Sequence, residues 1–430
     1  MVQRKEYLEK LIEWKDDDVI KVVTGIRRCG KSTLLMQYQD YLKSIGIEEN
    51  QIVAVNFEEL EYEELCDYKK LYAYIKDRLV ADKITYIFLD EIQKVPSFEK
   101  VVDSLYVKPN IDIYITGSNA YMLSGDLATL LTGRYVEISM LPLSFNEYMQ
   151  LSDKDKESAF ADYIKYGGLP FVATMDRTDD KVDTYLEGIY NTVIVKDIED
   201  RQKRQESNSD KRKINDIPLL KTIAKYLSSV IGSPVSLRGI TNYLVSSGRK
   251  ISANTVSNYV DALIESFIFY PAERFDIVGK QLLKANKKYY MVDLGIRNHI
   301  LPRKYYDLGF SVENIVFFEL LRRGCKVTIG KYQENEVDFV AENDDKDIKI
   351  IGYNNHIPKG TTVEIKKYRV NKLTSLGGAL PTGVNMAYLA EYKLLNDAGG
   401  SADIYGPAWV SFKRPKGADV SKIGVYEVFL

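Results

Sequence analysis

Val19-Ile-Lys-Val-Val-Thr-Gly25-Ile26-Arg27-Arg28-Cys29-Gly30-Lys31-Ser32-Thr33 is a β-branched run that ends in glycine and passes into a helix-forming stretch. The run reads as a buried parallel strand, and Lys31 to about Ile45 reads as the helix that follows it. Between them, Gly25 to Ser32 matches G-x-x-x-x-G-K-[ST] in full, with strand before and helix after. A triphosphate presents several negative oxygens, and glycines let the backbone curl close enough for its N–H groups to cradle them. Gly25, Ile26, Arg27, Arg28, Cys29, Gly30, Lys31, Ser32 and Thr33 are therefore the expected ATP-binding residues. Lys31 would neutralise the β and γ phosphates, and the Ser32 hydroxyl would be a ligand for Mg²⁺. Arg27 and Arg28 either raise the local positive potential or point to solvent.

Working outward, Ile84-Thr-Tyr-Ile-Phe-Leu89 is a second apolar strand, and it delivers Asp90 and Glu91 at its carboxyl end. Asp90 fits the carboxylate that holds Mg²⁺ through water, and Glu91 fits a general base for the attacking water. Further short runs at Ile52–Phe57, Ile111–Thr116 and Val136–Met140 alternate with helical stretches. That alternation implies an α/β fold, a P-loop parallel sheet with its working groups at the carboxyl ends of its strands. The strand at Ile52–Phe57, between loop and acids in the sequence, points to an inserted strand between the two motifs in the sheet. Ser118 and Asn119 follow the strand Ile111–Thr116, either touching the γ-phosphate or making an ordinary glycine turn. Arg134 is a candidate to stabilise transition-state charge, in its own subunit or a neighbour's, although a lone arginine after glycine also reads as a surface residue. Glu91, Lys31, Asn119 and Arg134 make up the expected catalytic set.

Gly25-Ile-Arg-Arg-Cys-Gly-Lys-Ser32, Phe88-Leu-Asp-Glu-Ile-Gln93, Ile115-Thr-Gly-Ser-Asn-Ala120, Leu131-Thr-Gly-Arg-Tyr135 and Tyr166-Gly-Gly-Leu-Pro170 occur in this order. Together they resemble the AAA+-type P-loop ATPases of bacteria and archaea that carry a C-terminal restriction-endonuclease-like domain of unassigned function. The resemblance spans nearly the whole chain. It implies ATP binding and hydrolysis, and it gives Ser118, Asn119 and Arg134 more weight than spacing does; it supplies no biological task.

Four domains are expected: an ATPase domain over 1–142, a helical lid and linker over 143–215, a winged-helix-like module over 216–300, and a nuclease-like α/β domain over 301–430. The charged stretch Asp200–Asn215 reads as a linker. Helices around Leu219–Val230 and Ser236–Leu244, a third capped by Ser252, and strands at Phe267–Phe275 and Lys288–Val292 describe the winged helix. Its third helix offers Asn254, Thr255, Ser257, Asn258 and Asp261, short polar groups suited either to DNA or to protein docking. Asp293 and Gly295 read as structural.

Ser311–Gly324 reads as a helix, Cys325–Lys331 and Glu336–Ala341 as a strand pair, and Thr362–Lys366 as another strand. Residues i and i+2 share a strand face, so Asp338, Glu364 and Lys366 reproduce a D…E-x-K constellation, a possible second metal site with Glu313 or Glu319 as an added acid. A helix near Leu373 and a strand at Met386–Ala390 complete that pattern. A solvated strand face would carry the same E-x-K residues.

Composition restricts the rest. Lys and Arg number 59 and Asp and Glu 61, for a net charge of −2, so any nucleic-acid surface must be local. No apolar run approaches the roughly 18 residues that span a bilayer. Cys29, Cys66 and Cys325 lie too far apart in the sequence for a disulfide framework, which fits a reducing cytoplasm. The expected partners are ATP, with DNA, a protein or further copies of the chain open. The competing account is a nucleotide-gated regulatory or docking protein with an inert nuclease-like scaffold.

Overall fold

The computed structural model describes residues 2–120, 131, 133–193, 216–276, 281–302, 308–332, 335–342, 348–351, 363–368, 372–376 and 387–390. The charged stretch expected as a linker and the tail beyond residue 390 lie outside the described residues. The chain divides into two compact units: Met1–Ala224 with Asn258–Phe269 and Val292–Ile300, and Lys225–Ser257 with Tyr270–Met291 and Leu301–Leu430.

The first unit is built on five strands, β1 (Ile20–Thr24), β2 (Ile52–Asn56), β3 (Thr85–Asp90), β4 (Ile111–Gly117) and β5 (Tyr135–Ser139), in the order β2-β3-β4-β1-β5. All four pairings are parallel. The strand between the phosphate loop and the acids is thus β4, and β2, the strand expected there, lies at the sheet edge beyond β3. Alternation along each strand divides the residues between two faces. Ile20, Val22, Ile87, Leu89, Ile113 and Ile115 share one buried cluster with Leu71 and Ile75 of α3 (Tyr68–Lys76) and with Val101, Val102 and Leu105 of α4 (Phe98–Tyr106). Lys21, Phe88, Asp112 and Tyr114 belong to the opposite set, where Tyr38 of α2 (Lys31–Ser44) packs on Phe88 and Tyr114. Ahead of β1, α1 (Lys5–Glu13) buries Tyr7, Leu8 and Leu11, as its apolar spacing predicts.

Beyond β5 the unit is helical: α5 (Phe145–Met149), α6 (Lys156–Tyr166), α7 (Pro170–Thr174) and α8 (Asp179–Asn191). Tyr166-Gly-Gly-Leu-Pro170 has a physical explanation in α12 (Leu294–Ile300) and the residue before it. Asp293 is 3% exposed and accepts hydrogen bonds from the N–H groups of Gly168 (2.7 Å) and Ile296 (3.0 Å). Gly167 sits at φ 82°, and a Cβ there would lie 2.2 Å from the Asp293 carboxylate, so glycine is required. Burial pushes Asp293 up to about 6, against backbone hydrogen bonds from Gly168, Ile296, Gly295 and Leu169.

A carboxyl raised in the folded state gives stability that is present below its unfolded value and is lost as pH rises through the folded one. From 3.8 to about 6 the difference is worth about 3 kcal/mol. The expectation is that the advantage of the wild type over Asp293→Asn in urea unfolding shrinks by about that amount between pH 4 and 7. A constant difference across that range would contradict it.

The second unit contains a sheet in the order β10-β9-β8-β6-β7, formed by β6 (Phe269–Asp276), β7 (Gln281–Met291), β8 (Lys326–Tyr332), β9 (Asn335–Glu342) and β10 (Ile348–Ile351). The two strands expected as a wing are neighbours, yet β6 also pairs in parallel with β8, so they belong to a larger sheet and are not a free hairpin. Helices α9 (Ile217–Ser229), α10 (Leu237–Ser246) and α11 (Ala253–Glu265) stand where the sequence places them, and Ser252 Oγ caps the last by accepting from the Thr255 N–H at 3.2 Å. Helix α13 (Leu308–Arg322) contributes Glu313 to a charge cluster around a buried lysine. Lys288, 2% exposed, is 2.9 Å from Glu313 and 2.6 Å from Glu336, and the Tyr290 hydroxyl also donates to Glu313. A separate sheet holds β11 (Val363–Tyr368) between β12 (Lys372–Leu376) and β13 (Ala387–Ala390). Residues 372–376 are therefore a strand, where a helix near Leu373 was expected; antiparallel pairing with β11 supersedes the local pattern.

Candidate active site

At the exit of β1 the backbone of Gly25 turns at φ 145°. A Cβ there would stand 2.1 Å from the Met140 carbonyl oxygen, so side chains are excluded at the first loop position. That approach is fixed by β5, because Met140 N–H donates to Thr24 O at 2.7 Å. Arg28 (φ 65°) and Gly30 (φ 105°) are left-handed, and Gly30 serves as N-cap of α2. Arg4 braces the loop from behind: it is 3% exposed and donates to Cys29 O (2.8 Å), Leu141 O (2.7 Å) and Glu147 (2.7 Å). Arg4 went unnoticed in the sequence because a charged residue at a helix start looks solvated.

Lys31 is 4% exposed, and its ammonium donates to Gly25 O (3.0 Å) and Ile26 O (3.3 Å). It also lies 3.5 Å from Glu91 Oε1. Ser32 is exposed at its helix start, and its hydroxyl hydrogen-bonds the Asp90 carboxylate. Asp90 is 7% exposed and Glu91 6%. Thr116 at the end of β4 ties the two acids together: its hydroxyl donates to Asp90 Oδ1 and accepts the Glu91 N–H at 2.9 Å. Ser118 donates to Glu91 Oε2 at 3.2 Å, and Gln93 Nε2 donates to the same oxygen. Burial pushes Asp90 up, opposed by the hydrogen bonds from Ser32 and Thr116. Burial presses Glu91 in the same direction, but Lys31 and Arg27 outweigh it and hold its carboxyl below the usual range.

The structure therefore brings together the phosphate loop, Asp90, Glu91 and Ser118; Asn119 follows Ser118, partly buried. Thr116 and Gln93 carried no sequence signal beyond membership of recurring motifs. Arg27 pairs with Glu58 at 3.6 Å, and Arg28 is exposed. Arg134 is elsewhere. Ile20 N–H donates to Arg134 O, so this residue stands at the amino end of β1, a strand length of about 16 Å from the loop. Its guanidinium pairs with Asp103 at 2.5 Å and lies over Tyr106. The structure does not bring Arg134 to the nucleotide site of its own chain.

Residues 17–149 match the AAA domain family, and residues 157–307 match a family described as a domain of unknown function. An uncharacterized protein of Haemophilus influenzae is 42% identical over 353 residues, covering 80% of this chain and 85% of its own. The chain belongs to the family of that protein. An uncharacterized protein of Methanocaldococcus jannaschii is 26% identical over 78% of this chain and 74% of its own length. Among solved structures, a Walker-type ATPase of Pyrococcus abyssi aligns with a TM-score of 0.47 at 13% identity, covering 70% of this chain and 96% of that one; so distant a likeness bears on nothing beyond itself.

The AAA domain accounts for the first unit's sheet and for the loop and acids at its carboxyl edge. Its donors suit Mg²⁺: a hydroxyl and a carboxylate are hard oxygen ligands, and that ion keeps several waters and shares substrate phosphates instead of needing a protein cage. Among the described residues no group of three or more His, Cys, Asp or Glu is placed to hold a metal ion. In the second unit, Asp338 lies on β9 whereas Glu364 and Lys366 lie on β11, strands of different sheets. No helix among the described residues is long and apolar enough to cross a membrane.

Proposed function

We propose that the chain is a Mg²⁺-dependent ATP hydrolase. One observation carries this: Lys31 and Ser32 of the loop meet Glu91, just after β3, and Asp90 at its end, so one magnesium nucleotide can be shared by all four. The Gly25–Ser32 backbone would cradle the phosphates, and the Lys31 ammonium would turn from the carbonyls of Gly25 and Ile26 to the β and γ oxygens. Ser32, with Asp90 behind it, would hold Mg²⁺, which would supply charge neutralisation to the phosphates. Glu91 would take a proton from water as that oxygen bonds to the γ phosphorus. The bond to the β-phosphate oxygen breaks, giving ADP and inorganic phosphate. Charge stabilisation by Arg134 would have to be exercised on the nucleotide of another copy of the chain. Phosphate release by the purified full chain, with Mg²⁺ and ATP and with or without DNA, tests the reading; none above background would sink it.

A second reading, a nucleotide-gated docking protein with an inert C-terminal region, is favoured by Lys288. Its ammonium occupies the space between Glu313 and Glu336, compensating acids that would otherwise be free for a cation. The DNA-directed reading of α11 is supported by exposed Asn254 and partly exposed Thr255, Ser257 and Asn258, and opposed by exposed Asp261. Incubating supercoiled plasmid with the protein and Mn²⁺ separates the two accounts of the C-terminal region. Nicking that is lost in Glu364→Ala would exclude the inert scaffold.

A further inference from the structure

Gln93 stands on the single 3₁₀ turn Ile92–Lys94 that follows Glu91. The left-handed backbone of Glu91 (φ 55°, ψ 44°) brings residue 93 back beside it. Such a conformation costs a residue with a Cβ about 1–3 kcal/mol and persists where the surroundings enforce it. Here Thr116 enforces it by accepting the Glu91 N–H.

Gln93 is 9% exposed. Its Nε2 donates to Glu91 Oε2 and, at 3.3 Å, to Ser118 Oγ, which itself donates to Glu91 Oε2. Both amide hydrogens and the hydroxyl hydrogen are thereby used, and the reverse amide orientation would set oxygen against carboxylate. What remains is Gln93 Oε1, a buried acceptor with no hydrogen-bond partner. An orphan of this kind costs about 1–3 kcal/mol, which marks Oε1 as an acceptor for a hydrogen that no described residue donates. The two oxygens of Glu91 are also unequal. Oε2 is held by Gln93 and Ser118, while Oε1 faces Lys31, the group that must turn away when phosphates arrive.

We propose that Gln93 is the positioning residue of the hydrolytic site. With Ser118 it anchors Oε2 of Glu91, so that Oε1 is presented to the attacking water once Lys31 leaves, and its own Oε1 accepts a hydrogen from a water in the same site. This deepens the reading of Glu91 as general base and rests on it.

The test is Gln93→Met, which keeps the length and removes the amide, in the full chain with Mg-ATP. Misplacing a reacting group by about 1 Å costs on the order of 100-fold. The expected result is a 10- to 100-fold fall in kcat, of about that order, with the affinity for a non-hydrolysable ATP analogue and the unfolding midpoint unchanged. Ser118→Ala should lower kcat in the same way, and Ser118→Thr should restore most of it. A Gln93→Met enzyme with wild-type kcat overturns the proposal, as does a loss matched by weaker analogue binding or a lower midpoint. If wild type turns over, Glu91→Gln does not, and Gln93→Met is normal, only this inference fails. If wild type itself is inactive, the hydrolase reading fails first.

Discussion

Replacing Glu91 by glutamine is expected to lower kcat for ATP hydrolysis by about 100- to 10,000-fold, the range general-base catalysis supplies. Nucleotide affinity should hold or improve. Glu91 lies 3.5 Å from the Lys31 ammonium, and that pairing must be surrendered when the lysine turns to the phosphates. Glutamine is nearly isosteric, keeps an oxygen for Ser118 and Gln93, and carries no charge to repel a γ-phosphate or to detain Lys31. The variant should therefore bind ATP and retain it. Lys31→Ala should instead weaken binding, because it removes the cation that neutralises the phosphates while leaving the base in place. A steady-state phosphate assay beside titration with a fluorescent ATP analogue separates the two effects. Equal turnover by Glu91→Gln and wild type would remove Glu91 from the chemistry.

The phosphate loop was legible because its demands are local. Gly25 and Gly30 need conformations that L side chains rarely adopt, Lys31 and Ser32 follow at fixed spacing, and a β-branched run aims them. Asp90 and Glu91 were legible for the same reason, as acids at the carboxyl end of an apolar strand. Strand order was not, since it depends on which crossovers pack best. Ile52–Asn56 comes between loop and acids in the sequence, yet β4 takes that place in the sheet, and with it come Thr116 and Ser118. Arg134 directly precedes β5, and in a parallel sheet that position lies at the amino ends of the strands, away from the loop of its own chain. Residues 372–376 misled because a short apolar stretch is ambiguous until a partner strand is known. Lys21 and Asp112 sit on β1 and β4 where charge suggests a solvated strand face, and both are buried.

That hidden pair carries the largest expected effect on stability. Lys21 Nζ is 2.7 Å from Asp112 Oδ1, and the two side chains are 0% and 2% exposed. Asp112 Oδ2 also accepts from Tyr114 OH at 2.8 Å and from the Asp16 N–H at 3.0 Å, and Tyr114 OH meets Tyr38 OH of α2 at 2.7 Å. Removing one member of a buried pair leaves an uncompensated charge and typically costs about 3–5 kcal/mol. Asp112→Ala should reach that range and lower the thermal midpoint by on the order of 10 °C, since it leaves the ammonium with the Asp17 carbonyl but no counter-charge and removes the acceptor of the Asp16 N–H. Lys21→Met should be milder, because its stranded partner can neutralise itself. Burial already pushes Asp112 up and Lys21 is the chief opposing influence, so without the lysine its carboxyl rises further and takes up a proton. A carboxyl raised in the folded state stabilises at low pH and loses that contribution as pH rises through its folded value. Lys21→Met should therefore approach wild-type stability in mildly acidic buffer and fall away from it towards neutral pH, whereas Asp112→Ala should show no such recovery. Urea unfolding of both variants between pH 4.5 and 8 measures this, and parallel curves would mean that the pair is not the stabilising unit its burial implies.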